Sequence, residues 1–187
     1  PRGRRGPADA DRRRRRAVTA GAAVDGVRLA PLRGRALDGT PWRLPDDLPA
    51  DRTLVLLAYR QRHQRDVDAW IDLAVSLGVP PTPRGAARPM ATAVIEVPNL
   101  SARWLPARRF IDGGMASAIR DPDVLARTVT AYGSPTGHRA ACGFVEDGGE
   151  AMRAVVASPA GEVTFLAVGP PGPGARAALA AALGLAD

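Results

Sequence analysis

The chain has 187 residues, 45% of them apolar, which is enough to bury one core, and no run nears the roughly 20 apolar residues of a membrane-spanning helix. All 26 cations are arginine, and residues 1–16 hold eight of them against two aspartates, so +6 of the net +7 charge sits in that segment and the rest is nearly neutral. One cysteine, Cys142, excludes an intrachain disulfide and a cysteine-rich zinc site; with only His63 and His138 besides, no metal site is expected.

Residues 1–25 lack large apolar side chains apart from two valines, and this composition predicts a disordered arginine-rich tail ahead of one domain over 26–187. The apolar stretch after the arginine run is too short for a secretory signal, so a cytoplasmic protein is expected. Leu32–Leu37 and Trp42–Leu44 flank Asp38-Gly39-Thr40 and predict a β-hairpin. Thr53–Tyr59 is continuously apolar, as in a strand buried on both faces. His63–Leu77 has apolar residues at helical spacing, with Gly78 and Pro80-Pro81 as the stop. After a Pro/Gly loop to Pro89, Ala91–Val97 is a second buried strand, closed by Pro98.

Residues 100–126 are mostly helical in pattern, with breaks expected at Asp112-Gly113-Gly114 and at Asp121-Pro122. Thr128–Tyr132 is a third strand and His138–Cys142 a short helix. Ala154–Ser158 and Val163–Val168 form a late hairpin about Pro159-Ala160-Gly161. A proline-glycine hinge, 169–174, leads to a last helix over Ala175–Leu185. Strand-helix-strand units give parallel neighbours and the late hairpin adds antiparallel ones, so a mixed sheet with helices on both faces is expected.

This order, together with Leu37-Asp38-Gly39-Thr40, Trp42-Arg43-Leu44 and Ser158-Pro159-Ala160-Gly161-Glu162-Val163, resembles the thioredoxin superfamily, in particular its peroxiredoxin-like branch. The resemblance implies an α/β fold, a thioredoxin-like three-layer α/β/α sandwich with a mixed sheet and an N-terminal β-hairpin. Glu96-Val97-Pro98 with 112–119 is also similar to uncharacterised bacterial thioredoxin-like proteins, and more distantly to the mitochondrial assembly factor for the membrane sector of ATP synthase. The superfamily's strand-to-helix redox turn falls on Ala58–Ile71 and puts His63 and Asp66 where a Cys-x-x-Cys pair would stand. Its proline ahead of the later strand is replaced by Glu150-Ala151-Met152. Both departures imply a module without redox chemistry or cofactor that binds a protein partner.

Within that frame the candidate residues are few. His63, at a helix start beside Arg60, Arg62 and Arg65, should be a neutral imidazole near pH 7, able to act as a base or a ligand contact. Arg60, Arg62, Arg65, Arg103, Arg108 and Arg109, with Gln64, could join it to hold an anion, with Trp104 and Phe110 lining a groove; a solvated rim paired with Asp66, Asp68 and Asp112 is the plainer alternative. Cys142 is the nucleophile if the chain is instead a thiol peroxidase or reductase, but its place at a helix C-terminus opposes a thiolate. Nucleic acid is disfavoured as a partner, because no basic face with interleaved aromatics follows the tail.

Overall fold

The computed structural model describes Val24 and residues 26–83, 90–144 and 151–185; apart from Val24, the expected tail lies outside the described residues. Its strands are β1 (Leu32–Ala36), β2 (Pro41–Leu44), β3 (Ala50–Ala58), β4 (Met90–Ser101), β5 (Val129–Gly133), β6 (Arg153–Ala157) and β7 (Val163–Val168). They form one mixed sheet in the order β2-β1-β5-β4-β3-β6-β7. β3 is central because its apolar run has no polar face to turn to water. Leu54, Val55, Leu56 and Leu57 are all 0% exposed, with Val55 and Leu57 in one core and Leu54 and Leu56 in the other. Each such side chain contributes roughly 1.5–3 kcal/mol by burial. β4 runs parallel to β3, and β5 runs parallel to β4. β6 lies antiparallel on the other edge of β3.

The hairpin β1–β2 closes through Gly39 at φ +95°, with Thr40 N–H bonded to the Asp38 carboxylate at 2.9 Å. β1 then pairs antiparallel with β5, which joins the hairpin to the parallel strands. β4 corrects the sequence reading, since it continues past Pro98 to Ser101. Pro98 is the last residue in register with β3, opposite Ala58, and Asn99 onward pairs with β5. The proline falls at that changeover, so its missing N–H ends the pairing with β3 without ending the strand.

The helices are α1 (Gln64–Ser76), α2 (Arg108–Ala118), α3 (Pro122–Arg127), α4 (Pro135–Ala141) and α5 (Ala175–Leu183). Short 3₁₀ turns, Gln61–His63 and Ala102–Ala107, lead into α1 and α2. α1 ends before Gly78, whose φ is +85°, as its sequence predicts. The break at Asp121-Pro122 is also present, with Asp121 capping Asp123 N–H at 2.8 Å. The break at Asp112-Gly113-Gly114 is absent, because α2 runs through it. Two glycines cost a helix about 1 kcal/mol each. Asp112 offsets part of this by lying 3.6 Å from Arg108 and accepting from Tyr132 Oη at 2.8 Å.

α1 and α5 cover one sheet face with Val67, Trp70, Ile71, Ala74, Leu179 and Leu183. Trp70 fastens this layer, donating Nε1–H to Gly169 O at 2.8 Å and meeting Phe165 edge-on. The opposite core is closed by Leu29, Leu44, Leu48 and the end of α4 with Cys142 and Phe144. The three-layer α/β/α arrangement, the mixed sheet and the N-terminal hairpin match expectation. Among the described residues no helix is long and apolar enough to cross a membrane.

Candidate functional site

Three parallel strands, β3, β4 and β5, present their carboxyl ends at the same edge of the sheet, the edge at which open α/β sheets hold ligands. β3 leads through Tyr59 and the extended Arg60 into the turn carrying His63, and so to α1. His63 is buried, and its Nδ1 accepts the backbone N–H of Tyr59 at 3.2 Å. That acceptor role requires a bare Nδ1, so the proton of the neutral ring is on Nε2. The ring stands at 90° to that of Tyr59, with centroids 6.5 Å apart. One face of the imidazole's chemistry is thus committed to holding the turn.

The other sequence candidates separate into distinct places. Arg60, Arg62 and Arg65 are exposed around the α1 start, and Asp66 is half-buried in its first turn. Gln64 is tied inward: its Nε2 donates to Asp68 Oδ1 at 2.9 Å and to the buried Glu96 Oε2 at 3.4 Å. Glu96 also accepts Thr128 Oγ1–H at 2.9 Å and pairs with Arg127 at 3.4 Å, so Gln64 joins a bond network linking α1, β4 and α3. Arg103, Trp104 and Arg109 lie on the exposed surface leading into α2, where the Arg103 guanidinium sits 5.2 Å over the Trp104 ring.

Cys142 is fully buried at the C-terminal end of α4. Its sulfur accepts Ala30 N–H at 3.3 Å, and His138 Nε2 lies 3.1 Å from Ala30 O. Burial pushes the thiol up, partly opposed by the Ala30 N–H, and pushes His138 down. The sulfur is 3.7 Å from His138 Nε2, but both groups are held neutral, which is the opposite of a thiolate-imidazolium pair. Among the described residues no cluster of three or more His, Cys, Asp or Glu could hold a metal.

Sequence reasoning missed a buried polar group beside His63. Tyr59 Oη and both amide atoms of Asn99 are buried without a hydrogen-bond partner among the described residues. Arg139 from α4 places its guanidinium 5.0 Å over the Tyr59 ring. Arg153, nearly inaccessible at the start of β6, donates to Ala151 O at 2.7 Å. Burial holds the Tyr59 phenol well above its ordinary range, opposed by Arg153 and Arg139. The available signal was parity. Asn99 and Arg153 continue the inward-facing registers of Ile95 and Val97 and of Ala157 and Val155, where an apolar residue is the rule.

No protein-family model matches the chain, and no curated protein matches it. Among solved structures, BsSco, of the Sco family of cytochrome c oxidase assembly proteins, aligns with a TM-score of 0.52 at 11% identity, over 86% of this chain and 96% of its own. The fold is thioredoxin-like. The exposed lipoprotein thioredoxin Etrx1 of Streptococcus pneumoniae gives 0.46 at 11% identity, covering 83% of this chain and 98% of its own. The thiol:disulfide interchange protein DsbE of Chlorobium tepidum gives 0.45 at 13%, over 84% and 96%. In this thioredoxin-like chain the strand-to-helix turn carries His63, Asp66 follows in the first turn of α1, and the lone cysteine caps the C-terminal end of α4. Ala151 and Met152 stand before β6; Glu150 lies outside the described residues.

Proposed function

We propose that this thioredoxin-like chain works by binding a protein partner, in the assembly or folding of that partner, and not by thiol exchange. The observation that carries the reading is the fate of the two groups that could do chemistry. His63 spends Nδ1 on the Tyr59 backbone, and Cys142 is sealed in the core as a protonated thiol. Thiol chemistry needs an accessible thiolate, and a dithiol cycle needs a second cysteine that the sequence lacks. A fold of this kind hosts unrelated functions, so the absence of a redox pair leaves the scaffold free for recognition.

Insulin reduction and peroxide consumption by the purified chain test the reading. Rates at background level in both assays, unchanged in Cys142→Ser, are expected. Robust turnover that Cys142→Ser abolishes would replace it with a thiol peroxidase or reductase.

A further inference from the structure

On the sheet face beside α2 lies a groove of about 240 Å³, lined by Arg33 and Arg35 of β1, Pro41 of β2, Arg108 of α2, and Leu105 and Tyr132. None of its lining residues is acidic. The Asp112 carboxylate, which contacts two of them, is bound by Arg108 and by the Tyr132 hydroxyl. Arg33 stands directly opposite Arg43 across the β1–β2 pair, an arrangement of like charges that costs stability. Among the described residues the Arg35 guanidinium is bonded to the Gly39 carbonyl, at 2.7 Å. Exposed apolar side chains continue the surface, with Trp104 46%, Leu105 49% and Phe110 86% accessible. Arg33 and Arg35 of β1, Arg108 of α2 and the exposed Leu105 of the turn before α2 thus line one groove.

We infer that this groove docks an extended acidic segment of a protein partner, with apolar side chains between its carboxylates. Arg33 and Arg35 project from the same face of β1 at alternate positions, about 6.6 Å apart. Alternate side chains of an extended peptide have that same spacing, so two carboxylates can each meet a guanidinium in bidentate fashion. The lining favours a peptide over single-stranded nucleic acid. A base-stacking platform needs open aromatic faces, but the Trp104 ring carries the Arg103 guanidinium and Tyr132 is the lone aromatic in the groove, tethered to Asp112.

The inference rests on the partner-binding reading but fails independently of it. Loss of peptide binding leaves the buried thiol where it is, whereas redox turnover removes the reading itself. The probe is a fluorescein-labelled peptide of alternating Glu and Leu, titrated against the full chain by anisotropy at low and high salt. An all-Lys/Leu peptide and an oligo-dT strand serve as comparisons. The expected result is salt-sensitive binding of the acidic peptide that weakens about tenfold in Arg33→Glu/Arg35→Glu. Equal charge reversal on exposed helix positions, Arg65→Glu/Arg176→Glu, should weaken it far less. In the unaltered chain the peptide should also shield Trp104 from acrylamide, since Trp42 and Trp70 are buried. Three results each overturn the proposal: no binding, equal loss in both variants (which assigns binding to general charge), or tighter binding of oligo-dT with the same dependence on Arg33 and Arg35.

Discussion

The backbone N–H of Tyr59 is bonded to Nδ1 of His63, so the residue just past the end of β3 is held by the last side chain of the 3₁₀ turn that leads into α1. In redox members of the fold, as the resemblance implies, a cysteine would occupy this place. Here the residue closes the strand end. His63→Ala should destabilise the chain by about 1–3 kcal/mol, because it strands the Tyr59 amide and removes a buried ring. Urea unfolding measures this, and nitrogen chemical shifts should report the Nε2–H tautomer. A variant as stable as the parent would mean that the bond holds nothing.

The same logic applies to His138, with a pH dependence whose sign is fixed by burial. Desolvation lowers its folded-state proton affinity below the ordinary value, offset in part by the bond to Ala30 O. Below about pH 6.5 the unfolded chain takes up a proton that the folded chain refuses. Stability from this group is therefore full above that pH and falls as pH drops toward the lowered folded value, with a slope of at most about 1.4 kcal/mol per pH unit. Urea midpoints between about pH 8 and 5 should trace this decline, and His138→Gln, which keeps a donor for Ala30, should flatten it. An unchanged slope in the variant would assign the decline to other groups.

Cys142 should be chemically silent in the folded chain. Burial holds the thiol protonated, and the thiolate is the species that reacts. Under native conditions at near-neutral pH the thiol should resist an aromatic disulfide reagent, then react fully once urea unfolds the chain. Fast native labelling would contradict the sealed position. Cys142→Ala should cost about 1–3 kcal/mol, since Ala30 N–H loses its acceptor.

Strong local patterns made most of the architecture legible. The double-faced burial of β3 follows from an apolar run with no alternation, and both hairpins follow from turn glycines at positive φ, Gly39 and Gly161. The failures occurred where a distant contact outweighed local signals. Pro98 reads as a strand end until β5 is known to take over the pairing, and Gly113-Gly114 reads as a break until Asp112 is seen held by Tyr132. At the site, His63 and Cys142 were visible as residue types, but their commitments to Tyr59 and Ala30 depend on tertiary placement. The groove was not legible in the sequence. Trp104 is a groove candidate in the sequence but does not line this groove, and Arg33 and Arg35 carry no local signal that marks them. Only the β1–β5 pairing brings them beside Leu105 and Arg108.

That pairing depends on one small residue. Gly34 lies between Ala131 of β5 and Trp42 of β2, and a Cβ added there would stand 2.7 Å from Val129 Cγ1 and 2.9 Å from the Thr130 carbonyl oxygen. The obstacle on one side is backbone, so relief requires β1 to move away from β5. Gly34→Ala should cost about 1–3 kcal/mol, the range for overpacking a well-packed site. The damage should be local. Amide exchange should quicken along β1 and β5, Trp42 fluorescence should shift to the red as its cover loosens, and β3 and β4 should stay protected. Because Arg33 and Arg35 flank Gly34, acidic-peptide binding should weaken as well, although no charge has changed. If Gly34→Ala left exchange at β1 and β5 untouched, the close approach of these strands would not be what seats the hairpin, and the groove would need another origin.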